Sequence, residues 1–221
     1  MKAKISEIFQ STQGEGIYQG EQQVFVRFFG CNLNCSFCDT QLNFYEELTV
    51  EKVLEKIRSY SNYHSISLTG GEPLLQVDFL RDLAQCLKSQ SQIVYLETNG
   101  TLPGHFREVI EYVDIIAMDF KLPSSTALKN FWVEHREFLK RAQGREVFVK
   151  TVITPSTLID DVHCALAIIK EICREITFVL QPAHPFEDAV RQKLWYFENV
   201  CKELEMDVRI IPQLHKELGI K

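Results

Sequence analysis

Short runs rich in apolar and β-branched residues alternate with segments of helical periodicity along most of this chain, and few folds satisfy that order. The runs are Ile5–Phe9, Gln23–Phe29, Ser65–Thr69, Ile93–Thr98, Ile115–Phe120, Val147–Ile153, Ile176–Leu180 and Val208–Ile211. Between most of them apolar residues recur every three or four positions: Val50, Val53, Leu54 and Ile57; Leu80, Leu83, Ala84 and Leu87; Ile159, Val162, Leu166, Ile169 and Cys173; Val190, Leu194, Phe197, Cys201 and Leu204. That spacing gathers each set on one helix face. Alternating strands and helices predict βαβ units with right-handed crossovers, hence an α/β fold built on a mainly parallel sheet. Runs such as "IVYL" and "IIAM" are apolar without a break, as expected of a sheet covered on both faces or closed toward a barrel. After Phe120, "LPSSTALKNFWVEHREFLKRAQGRE" predicts a loop and one helix. No long Gly/Ser/Pro linker divides the 221 residues, so one domain over 1–221 is expected.

Charge and cysteine use narrow the function classes. A net charge of −6, from 24 basic and 30 acidic residues, points away from nucleic acid and from anionic membranes as partners. The start "MKAKISEIFQSTQGEG" lacks the apolar stretch of a signal peptide, and the expected location is cytoplasmic. Seven cysteines, an odd number crowded toward one end, make a poor disulfide framework. Cys86, Cys164, Cys173 and Cys201 fall in helical segments, where a thiol behaves as a small apolar side chain, and core packing is expected of them.

In parallel α/β folds the chemistry gathers beyond the carboxyl ends of the strands. After the run "VFVRFF" comes Gly30, then Cys31, Cys35 and Cys38 on a loop. Thiolates at this spacing converge on a soft metal centre. A structural zinc site closes with four ligands, and here one is missing unless His64 or His215 completes it. Three thiolates with an open position also suit a 4Fe–4S cluster that binds something else at its last iron. Further strand ends carry polar groups: "ISLTGGEP", "YLETNG" with Glu97, Thr98 and Asn99, "AMDFK" with Asp119 and Lys121, and "FVLQP" with Gln181. Taken alone, GG-x-P also serves as a tight turn before a helix. So many polar strand ends together outline a ligand mouth.

"CNLNCSFC" resembles the CxxxCxxC loop of the radical S-adenosylmethionine (SAM) enzymes, including the aromatic Phe37 before the last cysteine. The resemblance implies a partial, open TIM-like barrel, with Cys31, Cys35 and Cys38 on a 4Fe–4S cluster and SAM chelating the remaining iron. Reductive cleavage of SAM would release a deoxyadenosyl radical that abstracts a substrate hydrogen. It further implies SAM contacts from Phe37, Cys38, Asp39, Gly70, Gly71, Glu72, Asn99, Lys121, Ser124 and Gln181.

"IFQSTQGEG", "FVRFFGCNLNC", "CDT" and the ending "RIIPQLHKELGIK" are similar, in the same order, to segments of the 7-carboxy-7-deazaguanine synthase family. That family converts 6-carboxy-5,6,7,8-tetrahydropterin to 7-carboxy-7-deazaguanine with loss of ammonia, toward queuosine. A planar guanidinium fork suits the substrate carboxylate, and Arg27 in an otherwise apolar strand offers one. A surface salt bridge is the plainer role for it. Thr12, Gln13, Gly14, Glu15, Thr69, Gln213 and His215 are the other expected substrate contacts, with the N-terminal strand, the QGEG turn and the tail contributing to the pocket. The resemblance assigns Mg2+ to Thr40 and implies a homodimer and an electron donor such as flavodoxin or ferredoxin. None of these residues stands out as an acid or base, and the part played by the terminal carboxylate of Lys221 stays open. A glycyl-radical-activating enzyme shares the cluster loop and GGEP, and a zinc-bearing binding module would use the cysteines without catalysis. Both remain alternatives at this point.

Overall fold

The computed structural model describes residues 1–38, 40 and 43–219. Among the described residues nine strands form one unclosed sheet: β1 (Lys2–Thr12), β2 (Gln22–Phe28), β3 (Glu46–Thr49), β4 (Ser65–Gly70), β5 (Val94–Thr98), β6 (Ile115–Asp119), β7 (Glu146–Ile153), β8 (Phe178–Pro182) and β9 (Val208–Ile210). Their order is β3-β1-β2-β4-β5-β6-β7-β8-β9, parallel from β2 to β9, with β1 antiparallel to both its neighbours. This is the partial, mainly parallel barrel that the alternating pattern and the resemblance implied. β3, "EELT", is not evident from the sequence because four residues with one apolar side chain, Leu48, carry no period-2 apolar signal.

The helices are α1 (Val50–Ile57), α2 (Val77–Ser89), α3 (Pro103–Phe106), α4 (Pro123–Thr126), α5 (Trp132–Ala142), α6 (Ile159–Ile172), α7 (Asp188–Glu203) and α8 (Leu214–Leu218). Two helices, α4 and α5, stand where the sequence predicted a loop and one helix. α1 is capped by Thr49, whose hydroxyl accepts from the Lys52 amide, and it buries the expected Val53, Leu54 and Ile57. α2 buries Phe79, Leu80, Leu83, Ala84 and Leu87, where each fully buried large side chain stabilises by about 1.5–3 kcal/mol.

The helices share one core with alternate strand residues: Val24, Val26 and Phe28 of β2, Ile66 and Leu68 of β4, Val94 and Leu96 of β5, Ile116 and Met118 of β6, Phe178 and Leu180 of β8. Residues of opposite parity face the concave side. There the amino-terminal half is apolar, with Tyr95, Ile115, Ala117, Phe148 and Val179 packed together. The carboxyl-terminal half bears Arg27, Thr69, Glu97, Asp119, Lys150 and Gln181. The expectation of apolar cover on both faces therefore holds for only half of the inner face, because the other half lines a cavity. In β1 an irregularity between Ile5 and Glu7 changes parity, so Ala3 and Ile5 join the helix-side core while Glu7 and Phe9 line the cavity.

Of the cysteines expected in the core, Cys201 is buried, and Cys86 and Cys173 are partly buried. Cys164 is exposed, contrary to expectation, because it lies off the α6 face made by Val162, Ala165, Leu166 and Ile169. Among the described residues no helix is long and apolar enough to cross a membrane.

Candidate active site

The polar strand ends open into a cavity of about 690 Å3. Cys31, Cys35, Phe37, Cys38 and Thr40 line it from the loop after β2, which docks on α4 through bonds from Ser36 N to Thr126 O (3.0 Å) and Ser36 Oγ to Ser125 O (3.0 Å). Among the described residues no three His, Cys, Asp or Glu converge as ligands of a single ion. Three thiols on one loop, all lining one cavity, are the donor set that a three-cysteine 4Fe–4S cluster takes. Partial desolvation raises the thiols of Cys31 and Cys35, so cluster assembly would release their protons. Asp39 lies outside the described residues, as do Ile220 and Lys221.

Gly70 and Gly71 bring the end of β4 against the base of this loop. A Cβ on Gly71 would lie 2.1 Å from the Gly30 carbonyl oxygen, so the two backbones approach as only glycine permits. Two main-chain bonds fix the approach, Gly71 N to Phe28 O at 3.1 Å and Glu72 N to Gly30 O at 2.9 Å. Glu72 itself does not line the cavity. Fully buried behind the mouth, its carboxylate accepts from Leu74 N (3.1 Å), Thr98 Oγ1 (2.9 Å) and Asn99 N (2.8 Å). Burial pushes its carboxyl up to about 7 against those bonds. These bonds give Glu72 a part in tying β4 to β5.

Asn99 lines the cavity but is heavily engaged within the protein. Its Nδ2 donates to Asn32 Oδ1 (2.9 Å) in the cysteine loop, and its Oδ1 accepts from Thr101 N (3.0 Å) and Oγ1 (2.6 Å). The buried His135 donates from Nε2 to the Asn99 carbonyl (3.1 Å) and stacks on Phe120; burial holds its imidazole down at about 4, hence neutral. Ser124 is not among the residues that line the cavity. Its hydroxyl accepts from Leu158 N (2.9 Å) and its amide donates to Asp161 Oδ2 (2.8 Å), so it braces the start of α6 away from the mouth. Gln181 lines the cavity fully buried, and its Oε1 has no partner among the described residues. Such a bare acceptor asks for a ligand donor.

On the opposite side, Thr12, Gln13, Gly14 and Glu15 follow β1. The Gln13 amide is consumed internally, donating to Gln23 Oε1 (2.8 Å) and Glu97 Oε1 (2.9 Å) and accepting from Glu15 N (3.0 Å). It shapes the wall instead of presenting a free amide. The tail closes over this turn: Leu214 N donates to Gly14 O (2.9 Å), and a Cβ on Gly14 would meet His215 Nδ1 at 2.2 Å. Gln213 Nε2 donates to Glu15 Oε1 at 2.6 Å. Arg27 pairs its Nε with Glu7 Oε1 (2.8 Å) and lies over the Phe9 ring. The plainer salt-bridge role is thus real for Nε, yet the residue also lines the cavity. Beside it, Thr69 pairs in register with Arg27 and donates its hydroxyl to Glu97 Oε2 at 2.9 Å.

A model of the radical SAM superfamily matches residues 25–154. The chain is 36% identical to 7-carboxy-7-deazaguanine synthase of Geobacter sulfurreducens, across 98% of this chain and 97% of that protein. The chain belongs to the radical SAM superfamily and, within it, to the 7-carboxy-7-deazaguanine synthase family. The synthase of Archaeoglobus fulgidus is 35% identical over the full length of both chains. The crystal structure of QueE from Escherichia coli superposes with a TM-score of 0.66, covering 95% of this chain and 94% of that one at 20% identity. At that identity the likeness speaks for the fold alone.

The family's motifs did not point to Lys150. Its ammonium lies 2.6 Å from Glu15 Oε2 and 3.0 Å from Asp119 Oδ2, and Asp119 also takes Lys121 at 2.8 Å. The sequence signal was the same as for Arg27, a lone cation inside an apolar strand, "VFVKTVI". Burial opposes charge on Asp119, but Lys121 and Lys150 hold its carboxyl below the usual range. Likewise, desolvation alone would raise Glu15, and the adjoining Lys150 overrides it to bring the carboxyl to about 2.

Proposed function

We propose that this protein converts 6-carboxy-5,6,7,8-tetrahydropterin to 7-carboxy-7-deazaguanine with loss of ammonia, on the way to queuosine. The observation that carries this reading is that the three-cysteine loop, Arg27 and the Glu15–Gln213 pair line one cavity. A substrate sealed beneath the tail suits a small molecule better than the protein glycine of an activating enzyme. Cys31, Cys35 and Cys38 would hold a 4Fe–4S cluster, which together with SAM supplies reductive carbon–sulfur cleavage and hydrogen abstraction.

The chain's own residues bind, orient and shield. The main chain of Gly70 and Gly71 borders the space for SAM, together with Phe37, Lys121 and Gln181. Lys121 stands over the Phe37 ring at 5.4 Å, which keeps that aromatic wall in place. Arg27 offers its guanidinium to the substrate carboxylate, and among the described residues its Nη atoms have no protein acceptor. Thr69, held by Glu97, turns its remaining lone pairs to the ligand. Glu15, Thr12, Gln213 and His215 surround the pterin edge. Mg2+ would take the Thr40 hydroxyl together with substrate oxygens, a thin donor set that needs the substrate to complete it. Among the described residues the outer edges of β3 and β9 carry no further strand, which supports a homodimer that covers one of them, and an external electron donor would complete the system.

The test is a single incubation. Reconstituted, oxygen-free protein with SAM, reductant, Mg2+ and the carboxypterin should yield the deazaguanine acid and ammonia. SAM cleavage without either product would overturn the substrate assignment.

A further inference from the structure

Lys150 is the buried cation of this cavity that no binding role has absorbed. It projects from the middle of β7, one strand from β6 on one side and from β8 on the other. Its ammonium bridges two carboxylates of different origin: Glu15, from the turn after β1, and Asp119, from the end of β6. Asp119 in turn carries Lys121, whose ammonium covers Phe37 of the cysteine loop. Glu15 carries Gln213 of the tail. A continuous chain of contacts therefore runs across the cavity floor from the tail to the cysteine loop, and Lys150 is its middle link.

We infer that Lys150 is a positioning residue for the reaction, fixing Glu15 as an ionised, immobile acceptor toward the substrate while anchoring it to Asp119 on the cofactor side. The inference rests on the reading that Glu15 faces the pterin. Several features carry it. Lys150 is 8% exposed and bonds both carboxylates within hydrogen-bonding distance. Its ammonium has three N–H donors and gives two of them to carboxylates from opposite sides of the cavity; Asp119 keeps Lys121 as a second partner, so it is Glu15 whose burial becomes costly without Lys150. The floor beneath is made by Tyr95 and Phe148, and among the described residues no other lysine or arginine is paired with Glu15. The groups facing Glu15 are Lys150 from β7, Gln213 and His215 from the tail, and, one contact further, Asp119 of β6 and Glu97 of β5. With Lys150 removed, burial dominates Glu15 and its carboxyl takes up a proton at higher pH.

The experiment uses reconstituted protein with SAM and the fluorescent analogue 6-carboxypterin, titrated by fluorescence between pH 5 and pH 8 for the unaltered chain, Lys150→Met, Lys150→Arg, Glu15→Gln and the double variant. Each affinity is taken as a ratio to the unaltered chain, which cancels pH effects common to all the variants. Lys150→Met should bind more weakly, with a deficit that grows by up to about tenfold per pH unit as pH falls below the new Glu15 value. Lys150→Arg should restore a flat ratio. The double variant should lose the slope, since Glu15→Gln has no proton to take up, and it removes the uncompensated carboxylate if the single variant folds poorly. Unchanged affinity in Lys150→Met, or a deficit equal at every pH, overturns the inference. So does a slope that persists in the double variant. Absence of analogue binding by the unaltered chain would instead refute the carboxypterin reading, and the inference with it.

Discussion

Replacing Gly71 by alanine tests how the fold and the site share one contact. The added Cβ would stand 2.1 Å from the Gly30 carbonyl oxygen and 2.5 Å from its carbon, where ordinary C···O contacts are about 3.3 Å. Neither atom belongs to a flexible side chain, so the end of β4 and the base of the cysteine loop must part by about 1 Å. Parting them strains or breaks the bonds Gly71 N to Phe28 O and Glu72 N to Gly30 O, each worth about 1 kcal/mol net. Overpacking adds about 1–3 kcal/mol, for a total of about 3–5 kcal/mol. For a chain of this size that corresponds to a fall in Tm of about 6–20 °C. Thermal unfolding under anaerobic conditions, with iron content after reconstitution, reads both consequences. Gly104→Ala is the control, because a Cβ there meets nothing within 4 Å, and it should change stability by less than about 0.5 kcal/mol. A Gly71→Ala protein with Tm within a degree of the unaltered chain and full iron loading would refute the close-approach argument.

Arg27→Ala should keep the cluster and SAM affinity but weaken capture of the carboxypterin by about tenfold or more, since a charge-assisted bond contributes about 1.5–3 kcal/mol; a normal KM would defeat the assignment. Thr40→Ala should blunt the Mg2+ dependence of turnover, and an unaltered magnesium titration would count against ligation by that hydroxyl. Glu15 sets an acid limit on stability. Its carboxyl falls from an ordinary 4.5 to about 2 in the folded protein, so its stabilisation is complete above pH 4.5 and disappears as pH drops through 2. The amount at stake is about 3 kcal/mol. Denaturant unfolding of the unaltered chain and of Glu15→Gln between pH 2 and pH 6 should show this difference closing as the pH falls, and parallel curves would contradict it.

Much of this architecture was legible because two periodicities are clean. Val53, Leu54 and Ile57 of α1 and the Leu80–Leu87 stripe of α2 announce helices that pack outward, and "IVYL" announces a central strand. The cysteine spacing and GGEP were equally readable, because metal ligation and close backbone approach restrict residue type at fixed intervals. Partnership was not legible. Glu72, Asn99 and Gln13 end strands or turns as ligand-binding residues do, yet their hydrogen bonds are spent on Leu74, Thr98, Asn32, Gln23 and Glu97. Those partners are remote in sequence, so only the folded register reveals them. Ser124 is alike, its hydroxyl accepting from Leu158 N across the chain. Lys150 shows the converse case: the signal, an isolated cation in an apolar strand, was present in the sequence but went unread because no motif contains it.

The central claim is that Cys31, Cys35 and Cys38 hold an iron–sulfur cluster with one iron left for SAM. Electron paramagnetic resonance of the anaerobically reconstituted, reduced protein, recorded before and after adding SAM, tests it most directly. The account predicts a 4Fe–4S signal that shifts on SAM addition and is lost when any of the three cysteines is replaced by alanine. Zinc in place of iron, or a cluster signal that SAM leaves unmoved, would contradict it.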